Sequence, residues 1–486
     1  MQFGRQLIFT SERVFSDDNI KAIVDRAIGA HYNNAVDIER LLNYYLGNQD
    51  ILGRTKKVRP DICNKIVINH AAEIANFKVG FTFGEPVQYV YRGKDTAAEQ
   101  DNAVDDSGIA ALNKLMYRLG KASKDRDLAQ WLYICGVGYR LTVYEGNRLE
   151  TYVCDPRQTF TIRADDYTKR VLLSCIRSVE KTIDDKSVCR LSIYSDNHYW
   201  EFEDDKLIVS KPIARNPITE YWANPTRQGC FEPVLDIIDA LNKIESNRAD
   251  GIEQFVQNLI WFNNCEITEE QYESLSEKGG ICTKSAPNMP ASIQMLSSEL
   301  NQTESQTYID DLYQTMLTIA AVPDRKASAG GNTGQALIIG EGWTMAESAA
   351  KSFELSFDES EKDFIASILK IVKTVPTECT TPADFATLDI SDVDIKFTRN
   401  KTDNLLTKTQ GLMNQLEAGI HPRIAIANCG LYSDPHQVYI DSESYLQKWA
   451  GQGDNAEQQQ TGSNADNDFN ALFNSIMGGE TNAANE

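Results

Sequence analysis

Phe231-Glu-Pro-Val-Leu-Asp-Ile-Ile-Asp-Ala-Leu241 opens the stretch whose reading decides the fold, and that stretch runs on to about residue 375. Apolar residues stand at Val234, Ile238 and Leu241, then at Ile252, Phe255 and Leu259, in the steps of three and four that mark one face of a helix. Pro233 suits a first turn, where its missing N–H is no loss. A helix carried from 233 through 262 would be a rod of roughly 45 Å at about 1.5 Å per residue. Residues 303–322 repeat the pattern with Ile309, Leu312, Met316 and Ile319, and Pro323 stops it. The two helices bracket a compact segment, 263–302. After Pro323 comes Asp324-Arg-Lys-Ala-Ser-Ala-Gly-Gly-Asn-Thr-Gly334, a composition that predicts an exposed, mobile loop. Residues 335–375 read as a third, longer helix with Leu337, Phe353, Phe357, Phe364, Ile365, Ile368 and Ile371 near one side, its first turns weakened by Gly340 and Gly342.

In the first helix, Glu245-Ser-Asn-Arg-Ala-Asp-Gly251 interrupts the apolar stripe for nearly two turns. Glu245, Asn247, Arg248 and Asp250 put polar groups all round the rod there. Such a break suits a helix that bridges solvent, lines a channel or faces another subunit. Periodicity alone also fits three ordinary core helices.

The chain has 486 residues, 42% of them hydrophobic, ample for real cores and, by length, about three domains. No run of 18 apolar residues occurs, and Met1-Gln-Phe-Gly-Arg-Gln6 has no apolar signal segment, so a soluble chain without a membrane partner is expected. Ten cysteines stand singly with no Cys-x-x-Cys, which predicts buried, reduced thiols rather than a disulfide or zinc framework. A net charge of −22 argues against a nucleic-acid binder held by a basic surface. It suits a conduit whose acidic wall repels a phosphate backbone.

Residues 1–55 read as two amphipathic helices, one with Ile20, Ile23, Val24, Ala27 and Ile28, the other with Val36, Ile38, Leu41, Leu42 and Tyr45, ended by Gly47. Lys56-Lys-Val-Arg-Pro60 reads as a solvated basic linker, and 62–80 as another helix. Phe81 begins a β-rich part. From Trp131 to Trp222 it holds strands at 138–144, 149–154, 171–179, 189–194 and 199–202, separated by turn residues. Residues 393–398 are expected to return one strand to that sheet, and 402–450 to form three short helices broken at 419–422 and 433–435. The fold class is therefore α+β. Residues 451–486 hold six acidic residues and no Lys or Arg, a disordered composition. Within them Phe469, Leu472, Phe473 and Ile476 share a helical face that suits folding on a partner.

Catalytic patterns are lacking. His31, His70, His198, His421 and His436 form no metal-binding pair, and no Gly-x-Ser-x-Gly elbow occurs. The glycine loop ends in Gly334-Gln335-Ala336, without the lysine that a phosphate-binding loop requires. No catalytic residue, metal site or cofactor is assigned, and no enzymatic activity is expected.

A family resemblance enters with particular residues. Asn43-Tyr-Tyr-Leu-Gly-Asn-Gln-Asp-Ile51, Asn64-Lys-Ile-Val-Ile-Asn69, Gly80-Phe-Thr-Phe-Gly-Glu-Pro-Val87, Asp155-Pro-Arg157 and Gly229-Cys-Phe-Glu-Pro-Val-Leu-Asp-Ile-Ile-Asp-Ala-Leu-Asn-Lys-Ile-Glu-Ser-Asn-Arg-Ala-Asp250 resemble, in order, portal proteins of long-tailed bacteriophages of Gram-positive hosts. Gly330-Gly-Asn-Thr-Gly-Gln-Ala-Leu337 closes the series; the family commonly has Ser-Gly where Thr333-Gly334 stands. The resemblance spans roughly residues 35–450.

It implies a ring, usually of twelve copies, at one capsid vertex. Residues 56–232 with 335–400 would form the wing, 233–262 and 303–322 the stem, 263–302 the clip, 323–334 the tunnel loop, and 401–450 an α-helical crown. The implied partners are other copies of the chain, double-stranded DNA passing through the channel, the packaging motor (terminase), head-completion or adaptor proteins, and the major capsid and scaffold proteins. The implied location is the virion vertex, with assembly in the host cytoplasm. Arg325 and Lys326, with Ser328, Gly330, Gly331 and Asn332, become candidate DNA-facing loop residues, as opposed to merely exposed ones. Two alternatives from other classes are a non-enzymatic adaptor acting through the acidic tail and a virion enzyme whose site the sequence does not disclose.

Overall fold

A single helix, α1 (Ile20–Leu46), runs unbroken for 27 residues where the sequence suggests two. This computed structural model describes residues 4–57, 59–92, 107–181, 187–256, 259–263, 292–296, 302–324, 341–399, 405–429, 431–432 and 438–442. The gap in the apolar pattern of α1 is filled by two buried polar side chains with local partners. Asn34 accepts from the Gln6 N–H and donates to the Gln6 carbonyl, both at 2.9 Å. His31 stacks on Phe160 with ring centroids 4.6 Å apart, its Nε2 3.2 Å from the Arg157 carbonyl. The helix ends as expected at Gly47, φ +90°, with the Asn48 N–H bonded to the Asn43 carbonyl at 2.8 Å.

Strands β1 (Ile8–Thr10), β5 (Thr159–Ala164), β6 (Val171–Lys181), β7 (Ser187–Tyr194), β8 (His198–Glu203) and β9 (Lys206–Pro212) form one sheet in that order. β1 is parallel to β5, and the rest is an antiparallel meander. Ile20, Ile23, Val24 and Ala27 of α1 pack on its inner face with Phe160, Ile162, Cys175, Ile193 and Trp200. A second antiparallel sheet places β3 (Val137–Glu145) between β4 (Arg148–Cys154) and β10 (Ile218–Trp222). All five strands expected between Trp131 and Trp222 are present, joined by β5, β9 and β10, which the sequence reading does not name.

That reading is corrected at its start, because helices α3 (Ser107–Arg118) and α4 (Lys121–Cys135) precede β3 and Trp131 belongs to α4. Ile109, Leu112, Leu115 and Met116 of α3 and Leu128 and Leu132 of α4 recur at helical spacing, and all are buried. They share the largest core with Phe353, Phe357, Phe364, Ile365 and Ile368 of α7 (Glu341–Val372). The strand expected at 393–398 exists as β13 (Val393–Lys396). It pairs with β2 (Gln88–Tyr91), not with the larger sheet.

Two glycines fix how α4 meets the start of the decisive stretch. Gly136 ends α4 at φ +80°, and a Cβ there would lie 2.4 Å from the Arg227 backbone. A Cβ on Gly229 would lie 2.1 Å from the Ile134 carbonyl oxygen. The close approach lets the Cys230 N–H reach the Tyr133 carbonyl at 2.7 Å, which only residues without side chains permit.

Residues 401–486 form a separate unit. Within it α8 (Leu405–Glu417) and α9 (Pro422–Cys429) pack on each other across a break at Gly419, φ +78°. Residues 438–442 are also helical. The tail residues Phe469, Leu472, Phe473 and Ile476 lie outside the described residues.

Candidate functional site

The decisive stretch forms a hairpin. α5 (Leu235–Val256) leads out, strands β11 (Leu259–Asn263) and β12 (Ser292–Leu296) pair antiparallel, and α6 (Gln302–Ile319) leads back. The helix expected through 262 therefore stops at Val256. Leu259-Ile-Trp-Phe-Asn263 is bulky and favours a strand, and pairing with β12 satisfies its backbone. Residues 264–291 and 297–301, in the segment expected to form the clip, lie outside the described residues. Leu235, Ile238 and Leu241 of α5 share a core with Ile309, Met316 and Leu317 of α6.

The polar break of α5 has a specific internal partner. Residues 62–69, expected to be helical, form neither helix nor strand and lie beside it, and helix α2 (His70–Thr82) begins only after the Asn69 cap. Three alternate N–H groups of this segment are taken by side chains one helical turn apart. The Ile68 N–H donates to Asn242 Oδ1 at 2.8 Å, Ile66 to Ser246 Oγ at 3.0 Å, and Asn64 to Asp250 Oδ1 at 2.7 Å. The spacing matches: two residues of extended chain advance about 6.6 Å and four residues of helix about 6 Å. One face of α5 thus replaces a neighbouring strand, which is why 62–69 are not helical.

Asp250 also holds Arg54 at 2.9 Å and Lys56 at 3.0 Å, so Lys56, the first residue of the segment read as a solvated basic linker, is engaged on α5, while Lys57 is exposed. Burial would raise the Asp250 pKa, but the Asn64 N–H, Lys56 and Arg54 outweigh it and hold the carboxyl below its ordinary value. Asn247 accepts from Arg54 at 2.5 Å. Arg248 reaches Glu245 at 3.3 Å and crosses to Gln306 of α6 at 3.0 Å. At the near end, Asn242 donates to Gln49 at 2.5 Å, Gln49 donates to Asn69 at 3.2 Å, and the Tyr44 hydroxyl donates to Asp239 at 2.9 Å. Three segments separated in sequence, 43–51, 64–69 and 239–250, are therefore one polar seam.

Arg325, Lys326, Ser328, Gly330, Gly331 and Asn332 lie outside the described residues, but both flanks of their loop are placed. α6 closes with Ala321 at φ +50° and the Val322 N–H on the Leu317 carbonyl at 2.9 Å. A Cβ on Gly342 would sit 3.3 Å from the Pro323 Cα, so Pro323 and the first turn of α7 lie side by side. Trp343 packs on Phe77 and Phe81 with centroids 6.1 and 6.0 Å away. Arg399 lies over Phe81 and binds Glu347 and Glu354.

Sequence reasoning misses a buried charge cluster at the middle of α7. Glu361, fully buried, accepts from Tyr89 at 2.6 Å and Tyr221 at 2.8 Å, with Lys121 at 3.0 Å and Arg140 at 3.5 Å. Asp125 pairs with both cations, and the Phe364 ring lies under them. Burial pushes the Glu361 carboxyl up, but Lys121 and Arg140 more than compensate and keep it ionised. Only the i, i+4 spacing of Lys121 and Asp125 hints at it in the sequence.

Among the described residues no group of three or more His, Cys, Asp or Glu is arranged to hold a metal ion. No helix described is long and apolar enough to cross a membrane. The eight described cysteines are free thiols, with burial pushing Cys135 and Cys230 up to about 12.

These features define a mixed α and β chain organised round a helical hairpin, whose buried polar contacts tie distant segments to one face of the outgoing helix. The family described as phage portal protein, SPP1 Gp6-like, matches residues 25–459, and the chain belongs to that family. Portal proteins are structural components of the bacteriophage virion that act in DNA packaging. No curated protein matches the chain.

Proposed function

We propose that about twelve copies of this chain close into a ring at one capsid vertex and form the channel through which the genome is packaged and ejected. The family match over residues 25–459 carries this reading. In it α5 and α6 are the stem, β11 and β12 the root of the clip where motor and head-completion proteins dock, and residues 401–450 the crown. The charge of α6 supports a place beside DNA. Its 18 residues include no Lys or Arg, and Glu304, Asp310 and Asp311 are exposed beside Thr307, Gln314 and Thr318. Such a face repels phosphate and lets a duplex slide rather than stick. The flanks of the loop give Arg325 and Lys326 a fixed base from which to meet phosphates transiently. ATP hydrolysis belongs to a separate motor subunit.

Packaging by assembled heads tests the reading. Proheads built with the chain should protect DNA from nuclease when motor and ATP are supplied, and proheads built without it should not. The purified chain should hydrolyse no nucleotide. Equal packaging without the chain would overturn the proposal.

A further inference from the structure

The hairpin of α5 and α6 is covered on one side. Residues 62–69 lie along its Asn242, Ser246 and Asp250 flank. Helix α2, which continues them, meets α6 on the same side, where the Tyr313 hydroxyl donates to Glu73 at 3.1 Å and its ring lies 5.1 Å from that of His70. The other side is bare among the described residues. On α6, Tyr308, Leu312, Thr315 and Ile319 recur in steps of four, three and four, which puts them on the flank of the buried Ile309 and Met316 away from Tyr313. Tyr308 is 54% exposed and Ile319 52%, with Leu312 half-buried between them. Ala240, Ile244 and Gly251 of α5 stand half-buried on that side too. A stripe this apolar is not a lining for DNA; Thr307, Gln314 and Thr318, turned away from α5, supply that face.

The layer that covers the first side has an exposed outer surface of its own. Leu52, in the short 3-10 turn Asp50–Gly53, is 41% exposed and Ile66 36%. Lys65 joins them, since its Nζ donates to the Leu52 carbonyl at 2.8 Å, and it has no carboxylate partner among the described residues. The two surfaces stand at one height. Ile66 is level with Ser246, to which its N–H donates. Arg248 meets Gln306, and beyond the helices Leu259 pairs with Leu296, so each step out along α5 matches one step back along α6 and Ser246 is level with Tyr308. Rotation about a channel axis leaves heights unchanged, so along an upright stem Tyr308 of one copy comes round at the height of Ile66 on the next.

We propose, resting on the ring reading above, that the bare side of the hairpin seats on the outer surface of residues 52–66 of the neighbouring copy. Tyr308 packs against that copy's Leu52 and Ile66, and that copy's Lys65 faces the exposed Glu304 and Asp311 at the edge of the stripe. A tyrosine anchor among aliphatic side chains with charges at the rim is the composition of a strong interface. Each copy offers a different side to each neighbour, as a closed ring requires. The seam on α5 thereby gains a second role, because it holds in place the surface that the next copy grips.

The test is photo-crosslinking in rings mixed from light and heavy-isotope chains, with a photoreactive benzoylphenylalanine in place of Tyr308. Crosslinks between light and heavy chains should map to residues 50–69. Tyr308→Asp should lower the yield of rings about tenfold at fixed concentration and leave the melting temperature of the unassembled chain unchanged, because the side chain is exposed there. Rings that crosslink from position 308 only to other segments, or that Tyr308→Asp leaves at full yield, would overturn this contact while the ring itself stands. A chain that forms no ring with scaffold and capsid protein present would overturn both.

Discussion

Replacing Asp250 by alanine removes the far rung of the seam that holds residues 62–69 on α5. Its carboxylate, with 5% of the side chain exposed, accepts from the Asn64 N–H at 2.7 Å, from Asn64 Nδ2 at 3.0 Å, and from Arg54 and Lys56. Leaving the N–H without an acceptor costs about 1–3 kcal/mol. Arg54 and Lys56 are partly solvated, so their loss adds about 1 kcal/mol rather than the 3–5 of a fully buried pair. A local loss of about 3 kcal/mol speeds exchange of the Asn64 and Ile66 amides roughly a hundredfold. Asp250→Asn, which keeps an acceptor, should cost only about 1 kcal/mol. The contribution also has a pH signature. The folded pKa lies below the ordinary value, so the stabilisation is complete above about pH 4 to 5 and fades as pH falls through the folded value. Hydrogen exchange resolved to residues 62–69 is the assay. Exchange in Asp250→Ala within threefold of the unaltered chain would refute the idea that α5 side chains stand in for a strand.

His31 titrates near 4 when folded against 6.5 unfolded, because burial opposes its charge. The unfolded chain binds the extra proton, so stability falls by about 3 kcal/mol as pH drops from 6.5 to 4; in acid denaturation, His31→Gln should flatten that slope. Glu361→Gln leaves Lys121 and Arg140 with one carboxylate between them, and should lower stability by about 3 kcal/mol in chemical denaturation. Arg325→Ala with Lys326→Ala should leave assembly intact and change DNA packaging or retention, read as nuclease-protected DNA per head.

Much of the fold is legible as period and punctuation. The paired helices, the stop at Pro323, the Gly47 cap and five strands follow from apolar spacing and turn residues. Three of the errors share a cause, in that a distant partner decides the local structure. Residues 62–69 look helical until Asn242, Ser246 and Asp250 take their N–H groups. α1 looks like two helices until Asn34 and His31 find Gln6 and Phe160. Leu259–Asn263 continues a helical stripe, yet pairs with a strand about 30 residues further on. The polar break was visible as an anomaly, but its partner was not, since nothing local in Asp250 names Asn64. The order of the family landmarks now has a physical basis, because three of them meet in one seam.

The central claim is that this chain closes on itself as a ring. The most direct measurement is the mass of the purified protein in solution, with negative-stain images of the same sample. At 54.5 kDa per chain, about twelve copies give a hollow ring near 650 kDa with an open axial channel. A dimer that persisted with scaffold and capsid protein present would contradict it.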